Sequence, residues 1–253
     1  MKKEEKRTTV AFWGTHEAKD TRELYRCLAG EVVATAILVW LATTNCAQFS
    51  DNTGVLKISL TVGTTIATVV TIFAPVSGSH VNPAITLGFL IVGRISALKA
   101  LLYFPAQILG VIIGTLIYEV STPDNVQGDN LCSNGINEAA GVTVEEALMV
   151  EVVLTFILMY LILTISDKNV HPHPGSLGIT VCGLYATSAF LMGLRYSGVA
   201  LNPARSIGLA ILEHIVWDSI WVYWVGPMLG AALAGIIYRN WFDVAFQQDL
   251  ATP

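Results

Sequence analysis

The sequence predicts an all-α polytopic membrane protein, in which six transmembrane helices and two half-helices form an inverted three-span repeat. Composition is the first reason: 53% of the 253 residues are hydrophobic, only 13% are charged, and mean hydropathy is +0.60. Soluble domains carry about 25% charged residues. The apolar residues also gather in runs of roughly 20, the length of helix that crosses a ~30 Å hydrocarbon core. Matching motifs in the two halves of the chain are the third reason.

Six apolar runs are long enough to be transmembrane spans. They cover residues 28–49, 55–73, 97–119, 144–166, 176–194 and 217–238. The residues before the first run are charged and polar, with no apolar core ahead of a small-residue cleavage site, so they do not resemble a signal peptide. We therefore expect an N-terminal tail, a single transmembrane domain and a C-terminal tail, at residues 1–26, 27–240 and 241–253.

The basic residues predict which side of the membrane the chain ends occupy. Six spans place both ends on one side, and most Lys and Arg side chains fall on the tails and on the even-numbered turns. The connection 121–143 contains Asp and Glu but no Lys or Arg. By the positive-inside rule both termini are expected to be cytoplasmic, and we expect a multi-pass protein of the plasma membrane. The net charge of −5 gives no reason to expect a nucleic-acid partner.

The cysteines and histidines do not predict a metal site. The four cysteines show neither metal-ligand spacing nor a disulfide framework: Cys27, Cys46, Cys132 and Cys182. Cys46 and Cys132 could both lie near the outer face, but free thiols are expected. His171 and His173 could sense pH or a metal ion in a cytoplasmic turn, although a solvated turn is the favoured interpretation.

The two halves of the chain match at an offset of 120 residues, with Glu31 opening EVVATAILV and Glu151 opening EVVLTFILM. Further matches are Thr35 with Thr155, Asn82-Pro83-Ala84 with Asn202-Pro203-Ala204, Tyr103 with Tyr223, and Gly110 with Gly230. Because each copy contains three spans, an odd number, the second copy enters the membrane inverted. We expect repeat 1 at about 27–119 and repeat 2 at about 144–239, joined by an extracellular loop at 120–143.

Each repeat also contains a moderately apolar segment that is too short to span: SGSHVNPAITLGFLIVG at 77–93 and YSGVALNPARSIGLAIL at 196–212. In both segments Asn is a favoured N-cap and Pro suits the first helical position. A helix from Pro83 to Val92 would rise ~15 Å, about half of the hydrocarbon thickness. The two half-helices are therefore predicted to meet at their N-termini near the midplane. An Asn-Pro turn would be preferred for one copy but is improbable for two.

The meeting of two helix N-termini has electrostatic consequences. Their positive partial charges disfavour cations and protons, while Asn82 and Asn202 can cap the helices and turn amide donors toward a neutral molecule. Glu31 and Glu151 can accept hydrogen bonds from the irregular backbone before each half-helix, because N–H groups cannot stay unpaired in a membrane. Proton carriage is the alternative role for an intramembrane acid. The symmetric duplication favours two structural struts.

Residues 24 to 240 resemble the aquaporin, or major intrinsic protein, family. The resemblance rests on both Asn-Pro-Ala boxes, the paired Glu residues, SGSHVNPA, NPARS and WVGP at 224–227. It implies a homotetramer in the lipid bilayer, with a pore in every protomer and passive transport without covalent chemistry, cofactor or metal. We therefore expect a channel and not an enzyme.

Positions that separate water channels from glycerol facilitators in this family look water-type here: Ser206, Ala210 and Tyr223-Trp224. The resemblance makes His80 a brace of its loop. It places the outer selectivity filter, where only the Arg matches the usual water-channel residue, at Val62, Phe190, Val199 and Arg205. We expect a water channel that excludes ions and protons. The alternative is a facilitator of small neutral solutes such as glycerol, urea or hydrogen peroxide, which Val62 and the absent filter His favour. An adhesive protein with a vestigial pore and a coupled transporter fit less well.

Overall fold

The computed structural model describes residues 12–14, 17, 20–47, 54–127, 134–168, 170, 176–213 and 217–243. These residues form helices and connecting turns, and none of the described ranges contains a β-strand. The helices, numbered in chain order, are α1 Thr21–Thr44, α2 Val55–Ser77, α3 Pro83–Ile91, α4 Ala97–Ser121, α5 Val144–Ile165, α6 Ser176–Gly193, α7 Pro203–Glu213 and α8 Val222–Ile237. The predicted fold class, an all-α polytopic membrane protein with six spans and two half-helices in an inverted repeat, is confirmed.

The helices fall into two length classes. Within the described residues, α1, α2, α4 and α5 are long and apolar enough to cross a membrane, and the apolar part of α6, Leu177–Gly193, is shorter. The half-helices α3 and α7 have only 9 and 11 residues. Each begins at the Pro of an Asn-Pro-Ala box. At about 1.5 Å per residue, each is long enough to cover about half of the hydrocarbon thickness.

Helix ends differ from the predicted spans where capping groups, rather than apolar composition, determine them. α1 begins at Thr21 instead of residue 28, because the Asp20 carboxylate accepts a hydrogen bond from the Glu23 amide at 3.2 Å. The end of the predicted N-terminal tail is therefore helical. α8 begins at Val222, after the 3₁₀ turn Trp217–Ser219 that the predicted span had included.

The two repeats pack through matching close contacts. α1 packs against α4, α5 packs against α8 in the equivalent arrangement, and α2 packs against α6 between the repeats. A Cβ on Gly110 would lie 2.6 Å from the Val32 carbonyl oxygen, and a Cβ on Gly230 would overlap the Val152 carbonyl oxygen. These two glycines are related by the repeat offset, so both helix pairs depend on a small residue at the same place.

A buried ion pair joins three helix ends. Arg94, which follows α3, donates from Nη2 to Asp167 Oδ2 at 2.9 Å, just beyond the end of α5. Tyr238, which follows α8, donates its hydroxyl to the same oxygen at 2.7 Å. The Asp167 side chain is only 2% exposed. This carboxylate therefore holds the ends of α3, α5 and α8 together while paired with a cation and a hydroxyl.

The cysteines differ in part from expectation. Cys27 and Cys182 are free and buried. Cys46 is disulfide-bonded, so the expected free thiol at this position is wrong. Spacing along the chain could not reveal this bond, because tertiary contacts bring the two thiols together. Cys132, His171 and His173 lie outside the described residues.

Candidate pore and selectivity site

The first Asn-Pro-Ala box forms the N-terminus of α3. Asn82 caps the helix, since its Oδ1 accepts a hydrogen bond from the Ala84 amide at 2.9 Å. Pro83 occupies the first turn, where its missing N–H leaves no helical hydrogen bond unmade. The Asn82 Nδ2 donates to the Leu201 carbonyl at 2.7 Å, which belongs to the backbone leading into the other half-helix.

The second box repeats this arrangement at the N-terminus of α7. Asn202 Oδ1 accepts from the Ala204 amide at 3.0 Å, and Pro203 is the first helical residue. Asn202 Nδ2 donates to the Val81 carbonyl at 2.7 Å. Each Asn thus caps its own half-helix and binds the backbone before the other one. An amide nitrogen carries two hydrogens, and this bond uses one of them. The structure therefore brings the two predicted boxes together.

The backbone before each half-helix adopts an unusual conformation. Four non-glycine residues have φ between 48° and 51°, in the left-handed region: Ser79, Val81, Val199 and Leu201. A positive φ is uncommon for any side chain and a genuine outlier for a β-branched one such as valine. The four positions form two pairs at the repeat offset. Such backbone persists only when neighbouring groups hold it in place.

Glu31 lies behind the first of these segments and is fully buried. Its Oε1 accepts hydrogen bonds from the His80 amide at 2.9 Å and the Ser77 hydroxyl at 2.7 Å. Its Oε2 accepts from the Val81 amide at 2.7 Å and from Gln107 Nε2 at 2.9 Å. One carboxylate therefore receives four donors, two of them amides of the irregular backbone.

Glu151 occupies the equivalent position in the second repeat and is also fully buried. Oε1 accepts from the Ala200 amide at 2.9 Å and the Ser197 hydroxyl at 2.6 Å. Oε2 accepts from the Leu201 amide at 2.9 Å. Pro227 stands at the position equivalent to Gln107, so this repeat has no corresponding amide donor.

His80 belongs to a polar and aromatic group found only in the first repeat, because its counterpart in the second is alanine. Its Nδ1 lies 3.0 Å from the Thr86 hydroxyl, to which Gln107 Nε2 donates at 3.2 Å. The imidazole stacks on Phe89, with centroids 4.6 Å apart, and meets the Tyr103 ring edge-on at 5.3 Å. These contacts link the loop before α3 to α4.

Two cavities adjoin, and we call the place where they meet the passage. One, of about 340 Å³, has Asn82, Asn202 and Cys182 among its lining residues. The other, of about 400 Å³, is lined in part by Ile136 of the connection between the repeats. Four residues line both cavities and therefore surround the passage between them: Ala42, Val62, Phe190 and Arg205. Three of the four predicted filter residues are thus brought together.

Arg205 is the cation of this passage. Its Nη1 donates to the Val199 carbonyl at 3.0 Å and to Asn134 Oδ1 at 2.8 Å. Its guanidinium carbon lies 6.0 Å from the centroid of the Phe190 ring, at the limit of a cation–π contact. Val199 takes part through this carbonyl, because its side chain is fully buried and packs toward Gly193.

Sequence reasoning missed several residues of the site. Ser77 and Ser197 obey the same repeat offset as the Glu residues, so the repeat could have revealed them. Ala42 is an ordinary apolar residue of α1, and nothing in the sequence indicates that it belongs to the site. Gln107 and Asn134 have no counterpart of the same type in the other repeat, so no pattern in the sequence distinguishes them.

Paired half-helices that meet beside a cavity, inside an inverted repeat, are typical of a membrane channel. The chain belongs to the major intrinsic protein family, whose model matches residues 17–238. The predicted resemblance over residues 24 to 240 is thereby confirmed, and members of this family are channels and not enzymes. The protein is an integral multi-pass membrane protein.

Relatives and a solved structure agree with this family. The chain is 37% identical to aquaporin-5 of Sus scrofa over 227 residues, which is 89% of this chain and 83% of the relative. It is 34% identical to aquaporin-4 of Notomys alexis over 249 residues, 95% of this chain and 73% of the relative. An X-ray structure of the aquaglyceroporin from Plasmodium falciparum matches with a TM-score of 0.78 and 25% identity, covering 89% of this chain and 99% of that one.

Proposed function

We propose that this protein is a passive water channel that excludes ions and protons. The observation that carries the proposal is the pair of half-helix N-termini, which meet beside a cavity lined by Asn82 and Asn202. Helix N-termini carry positive partial charge, which disfavours cations, and the second hydrogen of each amide can orient a neutral acceptor. The kinship to aquaporin-4 and aquaporin-5 supports the same conclusion.

In this proposal Glu31 and Glu151 are structural struts. Each carboxylate accepts two amide hydrogen bonds from the irregular backbone, which would otherwise be unpaired within the membrane. His80 braces the first segment through its contacts with Thr86 and Phe89. The struts keep Asn82 and Asn202 at the meeting point, where water crosses in single file.

The passage at Val62, Phe190 and Arg205 is proposed to be the selectivity filter, with Val199 supplying its carbonyl. The fixed charge of Arg205 repels cations, while water exchanges hydrogen bonds with its donors. Phe190 contributes an apolar wall, and Val62 leaves space where an aromatic side chain is usual. Glycerol needs several polar contacts along its length, so an apolar wall hinders it more than water. We expect low glycerol flux and passage of hydrogen peroxide, which is close to water in size.

A facilitator of small neutral solutes is the second candidate. Arg205 is the only charged side chain among the four residues that surround the passage, and the space beside Val62 could admit a larger solute. The likeness to the aquaglyceroporin from Plasmodium falciparum also favours this candidate. The two candidates differ in the size and polarity of what passes, not in the pathway.

The surroundings of the channel are proposed from the same reasoning. The transmembrane channel domain spans 27–240, with repeats at 27–119 and 144–239 and an extracellular connection at 120–143. Both termini are cytoplasmic in this arrangement, following the distribution of Lys and Arg. We propose a homotetramer in the plasma membrane, with one pore in each protomer.

The test is a set of flux measurements on purified protein in lipid vesicles. Stopped-flow swelling in an osmotic gradient gives water permeability, and isosmotic gradients of glycerol and urea give solute permeability. A pH-sensitive dye inside the same vesicles reports proton flux. We expect water permeability well above that of protein-free vesicles, with low glycerol and proton flux. High glycerol uptake would favour the second candidate, and absent water permeability would contradict the first.

A further inference from the structure

The orientation of Arg205 depends on a residue outside both half-helices. One of its described acceptors, the Val199 carbonyl, belongs to the backbone just before α7. A second acceptor, Asn134 Oδ1, lies 71 positions earlier, in the connection between the repeats. The positively charged side chain of Arg205 is therefore held in part by the segment that joins the two repeats.

Asn134 is buried where the connection packs closely against the backbone before α7. The residue is only 3% exposed. Its backbone passes so close to Gly198 that a Cβ there would lie 3.1 Å from the Asn134 Cα and 2.9 Å from the Gly135 nitrogen. Nearby, Asn137 Nδ2 donates to the Arg195 carbonyl at 2.9 Å. The connection is therefore docked on the backbone before α7, which holds the Asn134 side chain in one position.

The side chain of Asn134 is neutral, so it can accept a hydrogen bond from Arg205 without cancelling the positive charge of the guanidinium. Its Oδ1 accepts from Arg205, while its buried Nδ2 has no hydrogen-bond partner among the described residues. A buried donor left unpaired is unfavourable, so the amide is not explained by packing alone. A carboxylate at this position would also accept the hydrogen bond but would cancel the positive charge of the passage.

We propose that Asn134 is a positioning residue of the selectivity filter, whose neutral amide oxygen holds the Arg205 guanidinium away from the Phe190 ring. This inference rests on the proposed function, because it concerns how the same passage stays open to water. The ring lies 6.0 Å from the guanidinium carbon and attracts it. Without Asn134, the guanidinium moves toward Phe190, and the passage narrows.

Two substitutions at one position separate this role from ordinary packing. Asn134→Leu keeps the approximate shape of the side chain but removes the acceptor, so water permeability per channel should fall by about threefold or more. Asn134→Asp keeps an acceptor and should retain native water permeability. It also neutralises Arg205, so proton flux should rise by about tenfold. A merely structural residue would not separate water flux from proton flux in this way.

Gln127 supplies the matched control in the same connection. Its Nε2 donates to the carbonyls of Glu119 and Thr122, at 3.2 and 2.8 Å, and it has no described contact with Arg205. Gln127→Leu therefore removes two loop hydrogen bonds without touching the passage, and water permeability should stay native. A loss equal to that of Asn134→Leu would show a general effect of the loop and would overturn the proposal.

The experiment uses the full chain in lipid vesicles, with water and proton fluxes normalised to the amount of protein. Native water permeability in Asn134→Leu, or an equal loss of water permeability in Asn134→Asp, would also overturn the proposal. If the native protein conducts no water, the proposed function fails. Crystal structures of the native and Asn134→Leu proteins then test separately whether Asn134 positions Arg205. A guanidinium displaced toward Phe190 in the variant supports the proposal, and an unmoved one contradicts it.

Discussion

Removal of the Glu151 carboxylate should destabilise the fold rather than alter proton flux. In Glu151→Ala the buried amides of Ala200 and Leu201 lose their acceptor. Each unpaired buried amide costs about 1–3 kcal/mol, so the free energy of unfolding should fall by about 2–6 kcal/mol. Loss of the Ser197 hydrogen bond adds to this effect. The left-handed backbone at Val199 and Leu201 would also lose its support.

Glu151→Gln should have about half of this effect. The new amide oxygen can replace Oε1 and keep the Ala200 and Ser197 hydrogen bonds. The new NH₂ group then faces the Leu201 amide, donor against donor, at a cost of about 1–3 kcal/mol. The same change at Glu31 should be milder, because the buried Gln107 Oε1 has no partner among the described residues. Rotation of that amide would let it accept from the new NH₂ group.

Thr155→Val is the matched control for these variants. Thr155 lies one helical turn from Glu151, and its buried hydroxyl has no partner among the described residues. Its replacement by a side chain of the same shape should therefore be neutral or slightly stabilising. The control shows whether any change in the interior of α5 destabilises the protein.

The assay is thermal unfolding of purified protein in detergent, followed by tryptophan fluorescence, with proton flux measured in vesicles. We expect the unfolding temperature to decrease in the order Thr155→Val, Glu151→Gln, Glu151→Ala. If Glu151→Ala unfolds at the native temperature and changes only proton flux, the strut role is wrong and proton carriage is favoured. An unfolding temperature equally low in Thr155→Val would also remove the support for specific hydrogen bonds.

Three further predictions follow from contacts described above. Phe190→Ala should enlarge the passage and raise glycerol uptake in isosmotic gradients, whereas Phe190→His combined with Val62→Phe should lower it; equal uptake in all three proteins would contradict the filter assignment. Asp167→Asn should lower the free energy of unfolding by about 3 kcal/mol, because the partly buried Arg94 loses its only described carboxylate partner while it keeps its hydrogen bonds to Leu163 and Ser166. A native unfolding temperature would argue against the joined helix ends. Gly110→Ala should lower the free energy of unfolding by up to about 2 kcal/mol, because overlap with α1 costs about 1–3 kcal/mol and the better helix propensity of alanine offsets about 1 kcal/mol of it. Gly178→Ala, where the Cβ would meet its nearest neighbour at 3.5 Å, should not destabilise α6 in the same unfolding assay.

The sequence predicted three features correctly, and for one physical reason: the long apolar runs, the repeat offset and the helix caps at the Asn-Pro-Ala boxes. Each depends on residues close together along the chain, or on a whole unit copied at a constant distance. Pro83 and Pro203 therefore begin the half-helices as predicted, and the six spans appear in the predicted order. The predicted start of α1 was less accurate, because hydropathy indicates where a segment enters the lipid. The helix itself begins earlier, after its N-cap Asp20.

The partners of the site were decided by the tertiary structure. Gln107 reaches Glu31 across 76 positions, and Asn134 reaches Arg205 across 71. Neither pair repeats in the other half of the chain, and a hydrogen bond between distant residues leaves no periodic trace. The same holds for the disulfide at Cys46. The sequence by itself thus determined the channel class and the paired half-helices, because these follow from local chemistry and duplication. Only the folded chain determined which neutral amide lies beside Arg205 and that the Val199 carbonyl faces it, because those contacts depend on the distance between segments that meet after folding.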